Sequence, residues 1–423
     1  MVHFALLATI ALSLWTACTV IVGLWAMLSP SVQPLLVRVQ KHWAKPPRTL
    51  PPLVAPSVLV LRPCSGADPE LSRNLCSLAR TTQASRDALS LTCLLLVDSA
   101  RDPAWPTAVD AAQWLTEQGI PTAVLLTHAR GPNHKCDQLA RGVAHSPESA
   151  IVLVADADVD LTHTDLTLFT RDLAHGTHAA LWAPVPESPT PRTLGDRASL
   201  AVLTGSLHAF ALLARLDPAS LVGKLFALRA DALALVGGFA SLTRDLGEDM
   251  ALAHALRAQS LSVRAIAPMA LSTAHDRSWS QARARYARWL MVIRTQRPAL
   301  LRSYPLLFAS PIAQVLCALA LSLWAPRASL TLALTVIFAR SWVSAHAIAA
   351  SGQRRTLRRV LCDPWLADVL LWGAYRRART MTEVQWRDTA LRFDSHGKLL
   401  PTHPAPSAEP TPNSPKPSAS PRV

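Results

Sequence analysis

Glycine is scarce in this sequence, and motifs that depend on it are missing. The chain of 423 residues has 15 glycines and contains no GxGxxG or GxxxxGK[ST] pattern. The sequence therefore contains no sign of a glycine-rich phosphate-binding loop. HExxH is missing too, no Ser/His/Asp arrangement stands out, and the 14 histidines are dispersed.

The cysteines do not form a pattern. They number seven, with no CxxC spacing, at Cys18, Cys64, Cys76, Cys93, Cys136, Cys317 and Cys362. An odd, scattered set argues against a disulfide framework or a zinc site, and we expect buried, reduced cysteines in a domain that faces the cytosol.

Charged residues make up only 17% of the chain, against about 25% in an average soluble protein. Half of the residues are hydrophobic and the mean hydropathy is +0.22, which indicates a protein that contacts lipid. The net charge is +14. The basic clusters at 41–48, 354–359 and 376–379 adjoin apolar segments, as positive-inside topology and anionic headgroups require. We therefore expect no nucleic-acid partner.

Two apolar zones predict membrane spans. Residues 4–27 are long enough as a helix to cross a ~30 Å hydrocarbon core, and the basic flank follows them, so the chain after this span should be cytoplasmic. Residues 304–350, broken near Pro326, predict two more spans. Arg340 lies inside the second one, where it snorkels, pairs with a lipid headgroup, or shows that the boundaries are misplaced.

Between these zones, short apolar runs alternate with longer mixed segments. The runs are 57–61, 91–97, 122–126, 151–154 and 179–183. Strands separated by helices predict a mainly parallel α/β sheet, and the apolar character of the runs indicates that both faces are covered.

The expected organisation therefore has six parts. They are a transmembrane helix at 1–30, a linker at 31–56, a cytoplasmic catalytic domain at 57–300, two transmembrane helices at 304–350, an interfacial or re-entrant helix with a membrane-proximal segment at 351–400, and a disordered tail at 401–423.

Two carboxylates end the run at 151–154. Asp156 and Asp158 are separated by one residue, so in an extended segment both face one ion, at the sheet edge where α/β proteins bind ligands. Mg²⁺ or Mn²⁺ prefers such oxygens together with diphosphate oxygens. The alternative is a pair of solvated turn aspartates.

Asp98 ends another apolar run, and either contacts a nucleotide base or ribose or caps the next helix. Glu248 and Asp249 precede a predicted helix. An aspartate at a helix N-terminus stays ionised and can accept a proton from an attacking hydroxyl, although an acidic first turn is common in helices.

Arg285, Arg288 and Trp289 follow on one predicted helix. Arginines at i and i+3 share a face and can bind diphosphate oxygens, while the indole offers a stacking surface. The alternative, compatible with the first, is an amphipathic segment at the membrane interface.

In this order the signals resemble the signature of GT-A inverting glycosyltransferases, most closely the ceramide glucosyltransferase group, with its strand-end Asp, DxD, ED and (Q/R)xxRW motifs. Shorter stretches also resemble that group: Leu61-Arg62-Pro63, Asp68-Pro69, Asn74-Leu75, Asp102-Pro103-Ala104, Asn133-His134-Lys135, Gly237-Gly238, Val384-Gln385-Trp386-Arg387 and Leu391-Arg392-Phe393. The resemblance covers about residues 55 to 395.

The resemblance implies a role for each motif. Asp98 and Lys135 would bind the donor, Asp156 and Asp158 the metal and diphosphate, and Asp249 would be the general base. Arg285, Arg288 and Trp289 would hold the diphosphate near the membrane.

The implied reaction transfers a hexose, glucose first, from a UDP-sugar to a membrane lipid hydroxyl such as that of ceramide, with Mg²⁺ or Mn²⁺. The composition indicates a bacterial inner-membrane member, for which a hopanoid or diacylglycerol is an alternative acceptor. A processive polysaccharide synthase shares the motif order but needs more spans for its channel. A non-catalytic nucleotide-sugar-binding protein is disfavoured by the intact motifs.

Overall fold

The structure is a computed structural model that describes residues 2–40, 48–54, 56–217, 220–307, 310–386, 389–394 and 397–400. The predicted disordered tail at 401–423 lies outside these residues, as do 41–47 and 55 of the predicted linker and Arg387 of the membrane-proximal segment.

Each of the five apolar runs that predicted a strand contains one. The strands are β1 (Ser57–Cys64), β2 (Ser90–Val97), β3 (Thr122–Leu126), β4 (Ile151–Ala155), β5 (Val159–Asp160), β6 (Ala180–Trp182), β7 (Leu225–Arg229), β8 (Val263–Ala265), β9 (Leu271–Ser272), β10 (Glu383–Trp386) and β11 (Thr389–Arg392).

Seven strands form the central sheet in the order β3-β2-β1-β4-β7-β6-β8. The pairs among β3, β2, β1 and β4 are parallel, as is β6 with β8, whereas β7 runs antiparallel to both of its neighbours. The mainly parallel sheet is thus confirmed, with one reversed strand that the sequence did not predict. The pairs β5–β9 and β10–β11 form two small sheets.

The described residues form sixteen α-helices, several of which cover the two faces of this sheet. They are α1 (Val2–Gln40), α2 (Leu71–Cys76), α3 (Gln83–Ala88), α4 (Ala104–Glu117), α5 (His134–His145), α6 (Thr167–Ala174), α7 (Leu194–Gly205), α8 (Phe210–Leu216), α9 (Ala230–Leu235), α10 (Glu248–Ala258), α11 (Trp279–Gln296), α12 (Pro298–Leu307), α13 (Ser310–Leu321), α14 (Pro326–Ala350), α15 (Leu357–Leu361) and α16 (Asp363–Thr380).

Successive residues of a strand enter opposite cores, as the period of two requires. In β4, Val152 and Val154 pack into the core that includes α5, α10 and α11, while Ile151 and Leu153 pack into the core that includes α2, α4 and α6. Because both faces are covered, the strand is apolar throughout, which is why the runs did not alternate.

Within the described residues, three helical stretches are long and apolar enough to cross a membrane: residues 6–25 within α1, the stretch Leu194–Leu216 that holds α7 and α8, and α14. The bent pair α12 and α13 makes a fourth if it is one span. The stretch at 194–216 was not predicted as a span, and 78% of it is buried inside the protein. Helix α1 also continues to Gln40, into the predicted linker.

The Arg340 side chain neither extends to the membrane surface nor depends on a lipid headgroup as its partner. Its guanidinium, buried between α14 and α16, bonds both carboxylate oxygens of Asp368, at 3.2 and 3.0 Å, and donates to the carbonyl oxygen of Gly205 at 2.7 Å. The segment predicted as interfacial therefore forms α16, whose Ala367 and Leu371 are buried against the rest of the protein.

Candidate active site

The carboxyl ends of β1, β2 and β4 open into one cavity of about 730 Å³. Since these strands are parallel, the residues that follow them meet at one edge of the sheet. All eight residues predicted for the site line this cavity: Asp98, Lys135, Asp156, Asp158, Asp249, Arg285, Arg288 and Trp289.

Asp156 is held from its backbone and from its side chain. The buried guanidinium of Arg62, on β1, donates to the carbonyl oxygens of Asp156 and Val159 at 3.1 and 2.8 Å. The Asp156 amide donates to the carbonyl oxygen of Lys224 at 2.9 Å. The backbone of this turn is therefore fixed from both neighbouring strands.

One carboxylate oxygen of Asp158 is held by two hydrogen-bond donors. Its Oδ2 contacts Lys224 Nζ at 2.5 Å and accepts from Ser272 Oγ at 2.9 Å. Its Oδ1 is buried and has no hydrogen-bond partner within the described residues. Burial alone would raise the pKa of Asp158, but the Lys224 ammonium outweighs it and holds that pKa below its ordinary value.

The buried Oδ1 of Asp158 helps to decide whether these residues fit a divalent metal. A cation bound there would supply the partner that this oxygen lacks. The described part of the chain holds no group of three or more His, Cys, Asp or Glu residues that could bind an ion. Two aspartates nevertheless suffice for Mg²⁺, which commonly takes one or two carboxylates plus substrate phosphates. The residues thus fit a metal that shares its ligands with a diphosphate.

Lys135 connects the two acidic parts of the cavity. Its ammonium lies 2.7 Å from Asp156 Oδ1 and 3.2 Å from Glu248 Oε1, and it donates to the carbonyl oxygen of Gly223 at 3.0 Å. Burial would lower the pKa of Lys135, but Asp156 and Glu248 outweigh that effect and raise it. Asn133 supports this arrangement because it caps α5 through the Cys136 amide at 3.1 Å.

Asp249 lies in the first turn of α10. Its Oδ2 accepts from the Gly223 amide and its Oδ1 from the Met250 amide, both at 2.8 Å. Burial, and next the charge of Glu248, raise the pKa of Asp249 to about 6. The sequence predicted that the helix terminus keeps this carboxylate ionised; burial opposes that effect and brings the pKa close to neutrality.

Asp98 does not cap the next helix. Its Oδ1 accepts from the Ala129 amide at 2.5 Å, and its Oδ2 lies 3.7 Å from His134 Nδ1. Helix α4 begins at Ala104 with Pro103 before it, without a side-chain cap. Of the two interpretations of Asp98, the capping one is wrong, and the side chain faces the cavity.

Arg285 on α11 has a carboxylate partner that the sequence did not reveal. Its Nη1 lies 2.5 Å from Glu187 Oε1, and its guanidinium stacks over the Trp289 ring at 4.8 Å. Glu187 is buried and also contacts Arg277 Nη1 at 2.9 Å. One face of the indole is therefore covered by arginine, so Trp289 positions Arg285 and does not present that face to a ligand.

The other end of the cavity is apolar and is built by the membrane-type helices. His208 lies in the break between α7 and α8, and its Nε2 is 2.7 Å from the hydroxyl of Tyr304 on α12. Apolar side chains complete this end: Phe210, Leu213, Leu221, Val222, Leu371 and Leu391. The sequence signal that was missed is the apolar stretch at 194–216, which contributes His208, Phe210 and Leu213.

Comparison with known proteins identifies one family. The profile of the family described as Glycosyl transferase family 21 matches residues 19–399. A comparison with curated proteins found no match.

Three solved structures are similar to this chain. The mannosyltransferase PcManGT from Pyrobaculum calidifontis, in complex with GDP-Man and Mn²⁺, is 16% identical with a TM-score of 0.43, over 86% of this chain and 99% of that one. S. aureus TarS 1–349 is 11% identical with a TM-score of 0.35, over 81% and 98%. The glucosyl-3-phosphoglycerate synthase from Mycobacterium tuberculosis, in complex with Mg²⁺ and UDP, is 16% identical with a TM-score of 0.31, over 56% and 78%. TM-scores below 0.5 are too low to transfer a ligand from these proteins to this chain.

Proposed function

Because the chain belongs to glycosyl transferase family 21, we propose that it transfers a hexose, glucose first, from a UDP-sugar to the hydroxyl of a membrane lipid such as ceramide. One observation carries the proposal: a single cavity joins a charged end, with Asp156, Asp158 and Asp249, to an apolar end formed by α8, α12 and α16. A nucleotide diphosphate matches the first end and a lipid chain the second.

The donor would lie at the charged end. Asp98 would contact the nucleoside, and Lys135, Arg285 and Arg288 the diphosphate. Arg285 suits this role because Glu187 and Trp289 fix its guanidinium beside the cavity. Asp156 and Asp158 would hold a Mg²⁺ or Mn²⁺ ion, which supplies charge stabilisation for the leaving diphosphate.

Asp249 would act as the general base. The acceptor oxygen bonds to the anomeric carbon, its proton passes to Asp249, and the bond to the diphosphate breaks with the electron pair leaving on the diphosphate. The nearest other carboxylate, Glu248, is engaged by Lys135 and by Asn133 Nδ2 at 3.3 Å. With one available base and no second carboxylate as nucleophile, we expect inversion at the anomeric carbon.

The proposed location is a membrane with the cavity on the cytoplasmic side, as in a bacterial inner membrane. Supporting features are the candidate spans and the basic residues that follow them, including Arg354, Arg355 and Arg358. The apolar end of the cavity would then receive its acceptor from the bilayer.

The test uses membranes from cells that express the full chain. They are incubated with a panel of labelled nucleotide sugars, and the extracted lipids are analysed by mass, with membranes containing Asp249→Asn as the matched control. We expect one labelled lipid monoglycoside from a UDP-hexose with the wild-type chain alone. A long polymer would favour a processive synthase, and label on a hopanoid or diacylglycerol would replace ceramide as the acceptor. Absence of any labelled lipid across the panel would refute the proposal.

A further inference from the structure

Two lysines contact the two aspartates of the Asp156-Ala157-Asp158 motif, one for each. Lys135 Nζ lies 2.7 Å from Asp156, and Lys224 Nζ lies 2.5 Å from Asp158. Lys135 is shared with Glu248, whereas the carboxylate that Lys224 contacts is that of Asp158 alone. Lys224 was not among the residues predicted for the site.

Lys224 is fixed in this position. It directly precedes β7, its side chain is 9% exposed, and its carbonyl oxygen accepts from the Asp156 amide. Its ammonium also donates to the buried hydroxyl of Ser272 at 3.2 Å, and Ser272 in turn donates to Asp158. These contacts hold the Lys224 ammonium beside Asp158, so it does not move into solvent when another cation approaches.

The two lysines weaken the electrostatic attraction between the cavity and an entering cation. Two carboxylates alone would attract a divalent cation strongly, but two ammonium groups in direct contact with them cancel most of that attraction. The protein offers the ion few further ligands, since the described residues contain no cluster of three potential metal-binding side chains. A nucleotide diphosphate would add negative charge and oxygen ligands at the same time.

We propose that Lys224 makes metal binding conditional on the donor: the protein without nucleotide binds a divalent ion weakly, and the ion enters together with the diphosphate. Lys224 is then a positioning residue that keeps Asp158 neutralised until the diphosphate arrives, and it adds a fixed positive charge beside that diphosphate. This inference rests on the proposed function, because it presupposes a metal-assisted nucleotide-sugar donor.

The test compares wild type with Lys224→Met in two binding measurements. Free Mn²⁺ is followed by electron paramagnetic resonance, with and without UDP, and UDP affinity is measured separately in EDTA. In Lys224→Met we expect Mn²⁺ to bind the nucleotide-free protein roughly tenfold more tightly or better, and UDP without metal to bind weaker by a similar factor, because one unit charge is removed. A variant that merely folded badly would lose both affinities.

Two matched variants separate charge from contact. Lys224→Arg keeps the charge and should behave like wild type, while Ser272→Ala removes a hydrogen bond to Asp158 without changing charge and should shift neither affinity more than about twofold. If wild type binds Mn²⁺ only with UDP, but Lys224→Met leaves nucleotide-free Mn²⁺ affinity unchanged or lower, this inference is refuted and the proposed function stands. If wild type binds no Mn²⁺ even with UDP, the divalent metal assigned in the proposed function is refuted as well.

Discussion

At the scale of single residues, the pKa values in the site depend on the balance between burial and neighbouring charges. Asp249 accepts two backbone N–H groups, which favour its ionised form, yet burial and Glu248 together raise its pKa to about 6. A base with a pKa just below neutrality combines a mostly ionised state at pH 7 with real affinity for a proton. The sequence placed Asp249 at a helix terminus, but it carried no information on burial.

The raised pKa of Asp249 predicts the acid limb of the pH profile. Below about pH 6 the base is protonated and cannot accept the proton of the acceptor hydroxyl, so kcat/KM should fall tenfold for each pH unit. The charged groups that face this carboxylate are Glu248 on α10 and Lys135 on α5; Lys135 stays charged across this range because its pKa is raised. The measurement is kcat/KM for a labelled UDP-hexose between pH 5 and 8.

Asp249→Asn provides the control for this prediction. The amide oxygen can still accept from Gly223 or Met250, so we expect transfer to be lost at every pH while UDP binding changes by less than about threefold. Turnover that persists in this variant with the same acid limb would assign the base to another residue.

The partners of the predicted residues were not predictable in the same way. Five of the eight site residues follow strands or begin helices, and Arg285, Arg288 and Trp289 share one helix at a recognisable spacing, so such positions can be recognised locally. Their partners Arg62, Lys224 and Glu187 come from distant parts of the chain. Arg62 lies in a stretch that resembles the family, but its contact with Asp156 was not predicted, and no motif marked Lys224 or Glu187. Glu187 illustrates this, because it meets Arg285 across 98 positions of sequence.

At the scale of elements, strands were predicted better than their directions. The predicted fold class, a GT-A α/β sheet flanked by helices with additional apolar helices, is confirmed. The reversed strand β7 lies outside the five predicted runs, so both the strand and its direction were missed; a short segment such as Leu225–Arg229 does not show which way it pairs. No helix was predicted at 194–216, so α7, α8 and the break between them were missed together.

The Arg340–Asp368 pair tests how the apolar helices are held together. In Asp368→Ala the guanidinium keeps Gly205 and Ser344 as partners but loses its counter-charge in a buried setting. Removing one partner of a buried ion pair costs about 3–5 kcal/mol. We therefore expect a large fall in the unfolding temperature, measured in detergent by circular dichroism.

The matched control replaces both partners. Arg340→Met with Asp368→Leu leaves no buried charge, and Ser344 still donates to the Gly205 carbonyl at 2.8 Å. This double variant should recover most of the lost stability, since apolar residues often replace a buried ion pair at little cost. An Asp368→Ala protein as stable as wild type would mean that the pair is hydrated rather than buried.

At the scale of the whole molecule, the cavity takes residues from both sides of the boundary predicted at residue 300. Tyr304, Leu371 and Leu391 line it from α12, α16 and β11. Helix α11, which carries Arg285, packs along α16, and Arg294 donates to the carbonyl oxygens at the end of α16. The catalytic sheet and the C-terminal segments therefore share one core.

This shared core predicts the outcome of truncation. A chain ended after Arg297 would lose the partners of α7 and α11 and expose residues such as Leu290 and Met291, which are now buried. Exposed apolar surface of that kind leads to association rather than to a soluble domain. We expect this truncated chain to elute as aggregate in size-exclusion chromatography in detergent and to lose UDP binding, even though it retains all eight predicted site residues.

The control chain ends after Leu400 and should elute and bind UDP like the full chain, because the Pro/Ser-rich composition of 401–423 predicts a disordered tail. A monomer ending at Arg297 that binds UDP with full affinity would restore the catalytic domain as an independent unit. The apolar end of the cavity would then be an attachment that serves the acceptor alone. Comparing UDP affinity in the two truncated chains thus shows whether the membrane-type helices help to form the donor site or only extend it towards the lipid.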